Sequence, residues 1–265
     1  MARLLLNGIT LAEVDGVLFD KDGTLSHSEP QLIRLGEARI LAAERVFSQA
    51  QQTPGTGSRL VGWLQQAYGI KAGGIAPGGL LAVASRQHNL IATATIAALL
   101  DHAWPQALLL AEETFAKADR ALANAVEAGG DQPSSLLPDA QRLLHQLDGA
   151  GVRCGVISND SRQGIERFLK EHRLNAIINE DAIWSADDSP GKPDPLAVHR
   201  LCERMQLNHR RCALIGDADS DLLMARDAGV ALTLGYVAGW RQPPRLTAHE
   251  HLIHHWRDLQ VDCLT

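Results

Sequence analysis

Two carboxylates, Asp20 and Asp22, stand two residues apart directly after the apolar run Val17-Leu18-Phe19, and a Gly23-Thr24 turn follows. The run reads as a short buried strand that stops where the charges begin. In an open α/β sheet, ligands gather at the carboxyl ends of strands. An Asp in that place can act as nucleophile, metal ligand or both. Two more strand ends are polar: Val156-Ile157 runs into Ser158-Asn159-Asp160, and Leu214-Ile215 into Gly216-Asp217-Ala218-Asp219-Ser220-Asp221. Between them, Gly191-Lys192-Pro193-Asp194-Pro195 sets a lysine just before a helix.

Together these groups suit phosphoryl transfer. Asp20 and Asp217 at neighbouring strand ends make a hard oxygen site fit for Mg²⁺. Ser158 offers a hydroxyl, and the amides near Asn159 open a helix N-terminus that suits a phosphate oxygen. Lys192 supplies a fixed positive charge while an Asp attacks in line. Two carboxylates this close raise the proton affinity of one of them, as a proton carrier needs. Singly, each feature has a plain structural reading: an Asp-Gly turn, a Lys-Pro loop, a Ser-Asn-Asp cap. Three strand ends with the same character favour the functional reading. Asp219 is expected to be a loop carboxylate, and Lys21 to point away from the chemistry by strand alternation.

The elements that must position these groups follow from patterning. Residues 4–6 and 9–11 around Asn7-Gly8 read as a hairpin. From 30 to about 130 no strand is expected, and apolar residues recur at helical spacing over 31–52, 59–68, 89–100 and 105–128, with loops at 53–57 and 73–79. Beyond Pro133 helices (138–147, 162–172, 195–205, 221–228) alternate with strands (152–157, 176–178, 212–215, 231–234), then 252–253 and a helical turn near Trp256. This predicts an α/β, Rossmann-like doubly wound parallel sheet formed by 1–29 and 134–265, with an all-helical domain, 30–133, inserted after the first catalytic strand.

The formal net charge of −6 over 265 residues argues against nucleic-acid or anionic-membrane partners. Four scattered Cys without a CxxC pair fit a reducing compartment. The opening apolar run is too short for a signal peptide, and no stretch approaches the ~20 apolar residues of a membrane span. A cytoplasmic location is expected. His249, His251, His254 and His255 could bind a metal, but a polar strand edge is the favoured reading. The five Trp are assigned to packing.

The polar segments resemble the four motifs of the haloacid dehalogenase-like (HAD) hydrolases: Asp20-Lys21-Asp22-Gly23-Thr24, Ser158, Lys192, and Gly216-Asp217 with Asp221. The resemblance covers about 14–28 and 136–240, in the same order. It implies that Asp20 is the nucleophile forming an aspartyl-phosphate and that Asp22 protonates the leaving oxygen and then activates water. It also implies that Ser158 and Lys192 bind the phosphoryl group, while Asn159 stands as a phosphate-binding candidate on its place near the helix start. Mg²⁺ would be held by Asp20, Asp217 and the backbone carbonyl of Asp22, with Asp221 supporting the metal or orienting Lys192.

The second acid argues against dehalogenases and ion pumps and for a phosphatase of the phosphoglycolate phosphatase-like branch, acting on a small soluble phosphate ester. A sugar phosphomutase is disfavoured by Leu32 where a hinge His would stand, and a phosphonate hydrolase would need Lys71 or Lys117 as a Schiff base. A catalytically idle binding or regulatory protein is the third reading. The insertion resembles a helical cap, hinged near 26–30 and 132–137. Its segment Ala84-Ser85-Arg86-Gln87-His88-Asn89-Leu90 resembles a specificity loop, with Arg86 meeting substrate and Asn89 a candidate N-cap.

Overall fold

The computed structural model describes residues 2–50, 56–127 and 134–263. The chain divides into two compact units, Met1–Ser28 with Ser134–Thr265, and Glu29–Pro133.

The first unit opens with a hairpin of β1 (Ala2–Leu6) and β2 (Ile9–Val14). Asn7 (φ 51°) and Gly8 (φ 83°) make its turn, and positive φ at both central positions matches the twist of the strands. β3 (Gly16–Phe19) follows, buried at every residue, and then the short β4 (Ser26–His27).

The second unit comprises α1 (Glu29–Ala50), α2 (Thr56–Tyr68), β5 (Ile70–Lys71), β6 (Gly74–Ile75), α3 (Leu80–Val83), α4 (Arg86–Ala98) and α5 (Trp104–Glu127). Ile40, Val46, Phe47, Leu60, Leu64 and Tyr68 lie in its core. Three sequence expectations are corrected here. The β5–β6 hairpin interrupts what was expected to be purely helical; two-residue strands are too short to show a period of two. The helix expected from residue 89 starts at Arg86, because Ser85 is the N-cap and accepts from the His88 N–H. Asn89 is therefore no cap. It is buried, and its side-chain amide donates to the carbonyls of Leu80, Ala84 and Ser85.

The chain returns to the first unit through β7 (Ser135–Leu136), antiparallel to β4. It continues as α6 (Ala140–Gly149), β8 (Arg153–Ile157), α7 (Arg162–Glu171), β9 (Ile183–Trp184), α8 (Pro195–Arg204), β10 (Cys212–Gly216), α9 (Asp219–Ala228), β11 (Leu232–Tyr236), β12 (His251–Ile253) and β13 (Leu259–Cys263). Six strands, all parallel, form the main sheet in the order β12-β11-β10-β3-β8-β9. β13, β1 and β2 make a separate antiparallel sheet. The central strands read as unbroken apolar runs because both faces of the parallel sheet are covered.

Residues 176–178 form no strand. The amides of Ile177 and Ile178 bond back to the Leu174 carbonyl in a turn, and the edge strand forms at Ile183–Trp184 instead. Helix α6 starts two residues later than expected, after Asp139 in a left-handed conformation (φ 64°). The expected loop at 53–57 lies mostly outside the described residues, as do 132 and 133 of the expected hinge.

Two anchors hold the loops that carry the site. Trp256 is fully buried, stacks on Tyr236 with ring centroids 4.2 Å apart, and donates its indole N–H to the Thr24 carbonyl at 3.1 Å. It thereby fixes the turn after β3. Asp188 ties down the segment between β9 and α8. It accepts from the Ser185 N–H (2.9 Å) and hydroxyl (2.8 Å), from Arg204 (3.0 Å) and from Arg162 (3.4 Å). Partial burial opposes its charge, but these donors outweigh burial and hold the carboxyl below its usual range. A depressed acid contributes stability above its unfolded pKa of ~3.9 and loses it as the pH falls through the lower native value. Asp188→Asn should therefore cost about 1–3 kcal/mol near pH 7 by urea denaturation, with the deficit closing as the pH falls from ~3.9 through the lower native value. A deficit that stays constant with pH would contradict this.

Candidate active site

The order of the sheet brings the candidate residues together. β3 lies between β8 and β10, with Phe19 in register with Val156 and Ile215. Asp20 continues the ladder, its N–H donating to the Ile215 carbonyl at 2.9 Å. Ser158 and Asp217 follow directly after the neighbouring strands, and the Ser158 N–H donates to the Trp184 carbonyl at 2.9 Å. Asp20, Ser158, Lys192, Asp217 and Asp221 are all buried.

Lys192 is the hinge of the electrostatics. Its Nζ lies 2.6 Å from Asp20 Oδ1, 2.6 Å from Asp221 Oδ1 and 3.3 Å from the Ile157 carbonyl. Asp20, Asp217 and Asp221 each offer an oxygen within 4.8 Å of the others. Burial pushes the Asp20 carboxyl up to about 7, aided by Asp221 and Asp22 and opposed by Lys192. Burial, with Asp20 and Asp221, likewise raises Asp217 well above the usual carboxylate range, although Trp240 and Lys192 pull it back. Three buried acids share one lysine, and Asp221 Oδ1, though close to Lys192, makes no aligned hydrogen bond. The cluster lacks positive charge, and its donors are hard oxygens. The residues present fit a divalent cation such as Mg²⁺.

Neighbouring groups complete the geometry. Thr24 donates its hydroxyl to Asp217 Oδ1 at 3.1 Å, and the Trp240 indole N–H donates to Asp217 Oδ2. Gly23 (φ 77°) permits this, since a Cβ there would collide with the Trp240 ring and the Asp217 carboxylate. At Gly216 a Cβ would fall 2.6 Å from the Asp221 Cβ, so that glycine lets α9 approach β10. Asp221 lies in the first turn of α9, where the helix dipole favours an acid.

Asp22 is set apart from the buried acids. Its Oδ1 accepts from the Ser28 hydroxyl and from Lys21 at 2.5 Å, while Oδ2 has no partner among the described residues. Its carboxylate is not in the three-acid cluster, so the structure supports no side-chain metal role for it.

The expectation that Lys21 turns away is corrected. The strand ends at Phe19, so alternation does not reach residue 21. The backbone instead turns back, the Lys21 carbonyl accepting from the amides of Leu25 and Ser26 at 2.9 Å. Lys21 is buried between Asp22 and Asp160, 3.2 Å from the latter.

The remaining candidates fall differently. Ser158 Oγ accepts from the Asp160 N–H at 3.2 Å. Asn159 is half-buried; α7 starts at Arg162 as expected, with Ser161 as its N-cap, so Asn159 lies two residues before the cap. Arg86, in the second unit, already pairs with Asp119 at 2.6 Å. Of the two lysines considered for a Schiff base, Lys71 is exposed and Lys117 pairs with Glu113 at 2.8 Å. Asp219 accepts from the Thr247 N–H and hydroxyl and the Ala248 N–H, pinning a loop as expected. His251 lies in β12 and His255 precedes the turn at Trp256–Asp258. Packing is the sequence expectation for Trp240, and no spacing in the sequence links it to Asp217, whose carboxylate it meets.

The family model for haloacid dehalogenase-like hydrolases matches residues 14–229. Phosphoglycolate phosphatase of Yersinia pestis is 27% identical over 231 residues, 85% of this chain and 84% of that protein. Phosphoglycolate phosphatase of Vibrio cholerae is 29% identical over 134 residues, 49% of this chain; the match spans only 58% of that relative's length. A crystal structure described as a predicted phosphoglycolate phosphatase from Haemophilus somnus superposes with a TM-score of 0.62 at 18% identity, covering 94% of this chain and 97% of that one. A HAD-superfamily hydrolase of subfamily IA from Geobacter sulfurreducens gives 0.51 at 18% identity, covering 92% and 94%. The matched motifs, their order on the sheet and the shared fold agree: this chain belongs to the haloacid dehalogenase-like hydrolases.

Proposed function

We propose that the protein is a Mg²⁺-dependent phosphatase that hydrolyses a small soluble phosphomonoester through an aspartyl-phosphate on Asp20. The observation that carries this reading is the buried Lys192 bridge between Asp20 and Asp221, set beside Asp217 at adjacent strand ends. In the first step an Asp20 oxygen forms a bond to phosphorus as the ester P–O bond breaks, and Asp22 gives the departing oxygen a proton. In the second step Asp22 takes a proton from water as that water attacks phosphorus, releasing phosphate and freeing Asp20. The unpartnered Oδ2 of Asp22 is the oxygen available to carry that proton.

Lys192 offsets negative charge on Asp20 and the phosphoryl oxygens, and Ser158 and Asn159 hold those oxygens. Asp20, Asp217 and the Asp22 backbone carbonyl, with support from Asp221, would hold Mg²⁺, which would supply Lewis-acid charge stabilisation when bound. The phosphoglycolate phosphatase names of the relatives favour a phosphoglycolate- or sugar-phosphate-like ester. No helix among the described residues is long and apolar enough to cross a membrane.

Asp20→Asn should lower turnover of p-nitrophenyl phosphate by at least ~10³-fold. The variant should keep or raise its thermal stability, because one buried acid loses its charge. Near-normal turnover would overturn the assignment, and a release screen over glycolate, sugar, nucleotide and acid phosphates would identify the ester class. A second variant probes the support of Asp217. Trp240→Phe keeps the ring but removes the N–H, and should weaken Mg²⁺ binding by about tenfold in calorimetric titration. Unchanged affinity would show that the indole contact only packs.

A further inference from the structure

The second unit contains a buried cation that makes no ion pair or hydrogen bond among the described residues. Arg39, in α1, is 4% exposed. Among the described residues its guanidinium makes no ion pair or hydrogen bond, and its Nε is buried without a partner. It lies on the face of Phe115, 4.2 Å from the ring centroid. Arg86 lies against the same ring, 5.2 Å from its centroid. Asp119 is the acid that acts on Arg39, but it is engaged by Arg86 at 2.6 Å. Two cations thus share one ring and one carboxylate in a chain whose formal net charge is −6.

An Arg does not shed its proton near neutral pH, so burial leaves its charge to be met by a partner. The aromatic face recovers only part of the lost hydration. Burial pushes the guanidinium below its usual range, with Arg86 adding to the effect and Tyr68 and Asp119 opposing it. One further group of this unit, Thr114, next to Phe115 in α5, is buried with its hydroxyl Oγ1 unpartnered among the described residues. A hydroxyl can donate to an anion, and the planar fork of an Arg matches two oxygens of a carboxylate, sulfate or phosphate.

We propose that Arg39 is the base of a binding site for a small oxyanion within the inserted helical unit. The oxyanion is either a group carried by an organic phosphate ester or a free inorganic anion. The site is inferred from the second unit alone, and only the kinetic arm of its test rests on the phosphatase reading.

The test uses the full chain and the variants Arg39→Met and Arg39→Lys, with sulfate as the probe against chloride at constant ionic strength. Sulfate should raise the wild-type Tm by about 2–4 °C more than that of Arg39→Met, with Arg39→Lys between them. Without sulfate, Arg39→Met should melt at or above the wild type, because a buried charge without a partner is gone. An equal sulfate increment in all three proteins would overturn the proposal. So would a Met variant that melts below the wild type in chloride together with a Lys variant whose sulfate increment equals that of the wild type. If the Met variant does not fold, the Lys variant decides by the same increment.

Kinetics then separate the two sources. A KM for phosphoglycolate raised about tenfold in Arg39→Lys, with the KM for p-nitrophenyl phosphate unchanged, assigns the oxyanion to the ester. Loss of the sulfate increment with both KM values unchanged assigns it to a free anion.

Discussion

The buried bridge of Lys192 to Asp20 and Asp221 is the constraint that organises the first unit. Three acids are gathered out of water around one lysine, so removing Lys192 alone would leave only uncompensated negative charge there. Such a cluster forms only where the backbone over-determines it. Parallel pairing of β3 with β8 and β10 fixes the strand ends. Trp256 holds the turn after β3, Asp188 ties down the segment that carries Lys192, and Gly216 lets Asp221 come close.

The excess of negative charge is also the reason the site suits its proposed work. An isolated buried Asp would take up a proton and lose its nucleophilicity. Lys192 opposes that for Asp20, while the cluster retains attraction for a divalent cation. Asp22 occupies a different setting, with one oxygen tied to Lys21 and Ser28 and the other unpartnered. Two carboxylates that are neighbours in sequence are thus given unequal surroundings, the condition under which one can attack and the other can move protons.

The sheet and its polar strand ends were legible because they depend on local patterning. Apolar runs that stop at Asp20, Ser158 and Gly216 mark the strands, and alternation with helices marks the parallel sheet. What escaped notice depends on tertiary contact. Trp240 meets Asp217 from 23 residues away, across a loop that no periodicity describes. Lys21 departs from strand alternation because β3 ends at Phe19 and the backbone turns back at residue 21. Asn89 looked like a helix cap in composition, yet Ser85 holds that place and Asn89 braces the preceding turn from inside. Arg39 gave no signal at all, since an Arg on an amphipathic helix is ordinarily solvated; only burial beside Phe115 distinguishes it.

The proposed hydrolysis consists of two displacements at phosphorus, the first by Asp20. Its most direct measurement is the stereochemical course of hydrolysis of a phosphate ester made chiral at phosphorus with oxygen isotopes. Each in-line displacement inverts the centre, so passage through an aspartyl-phosphate predicts net retention in the released phosphate. Net inversion would mean that water attacks the ester directly, and would contradict the role given to Asp20.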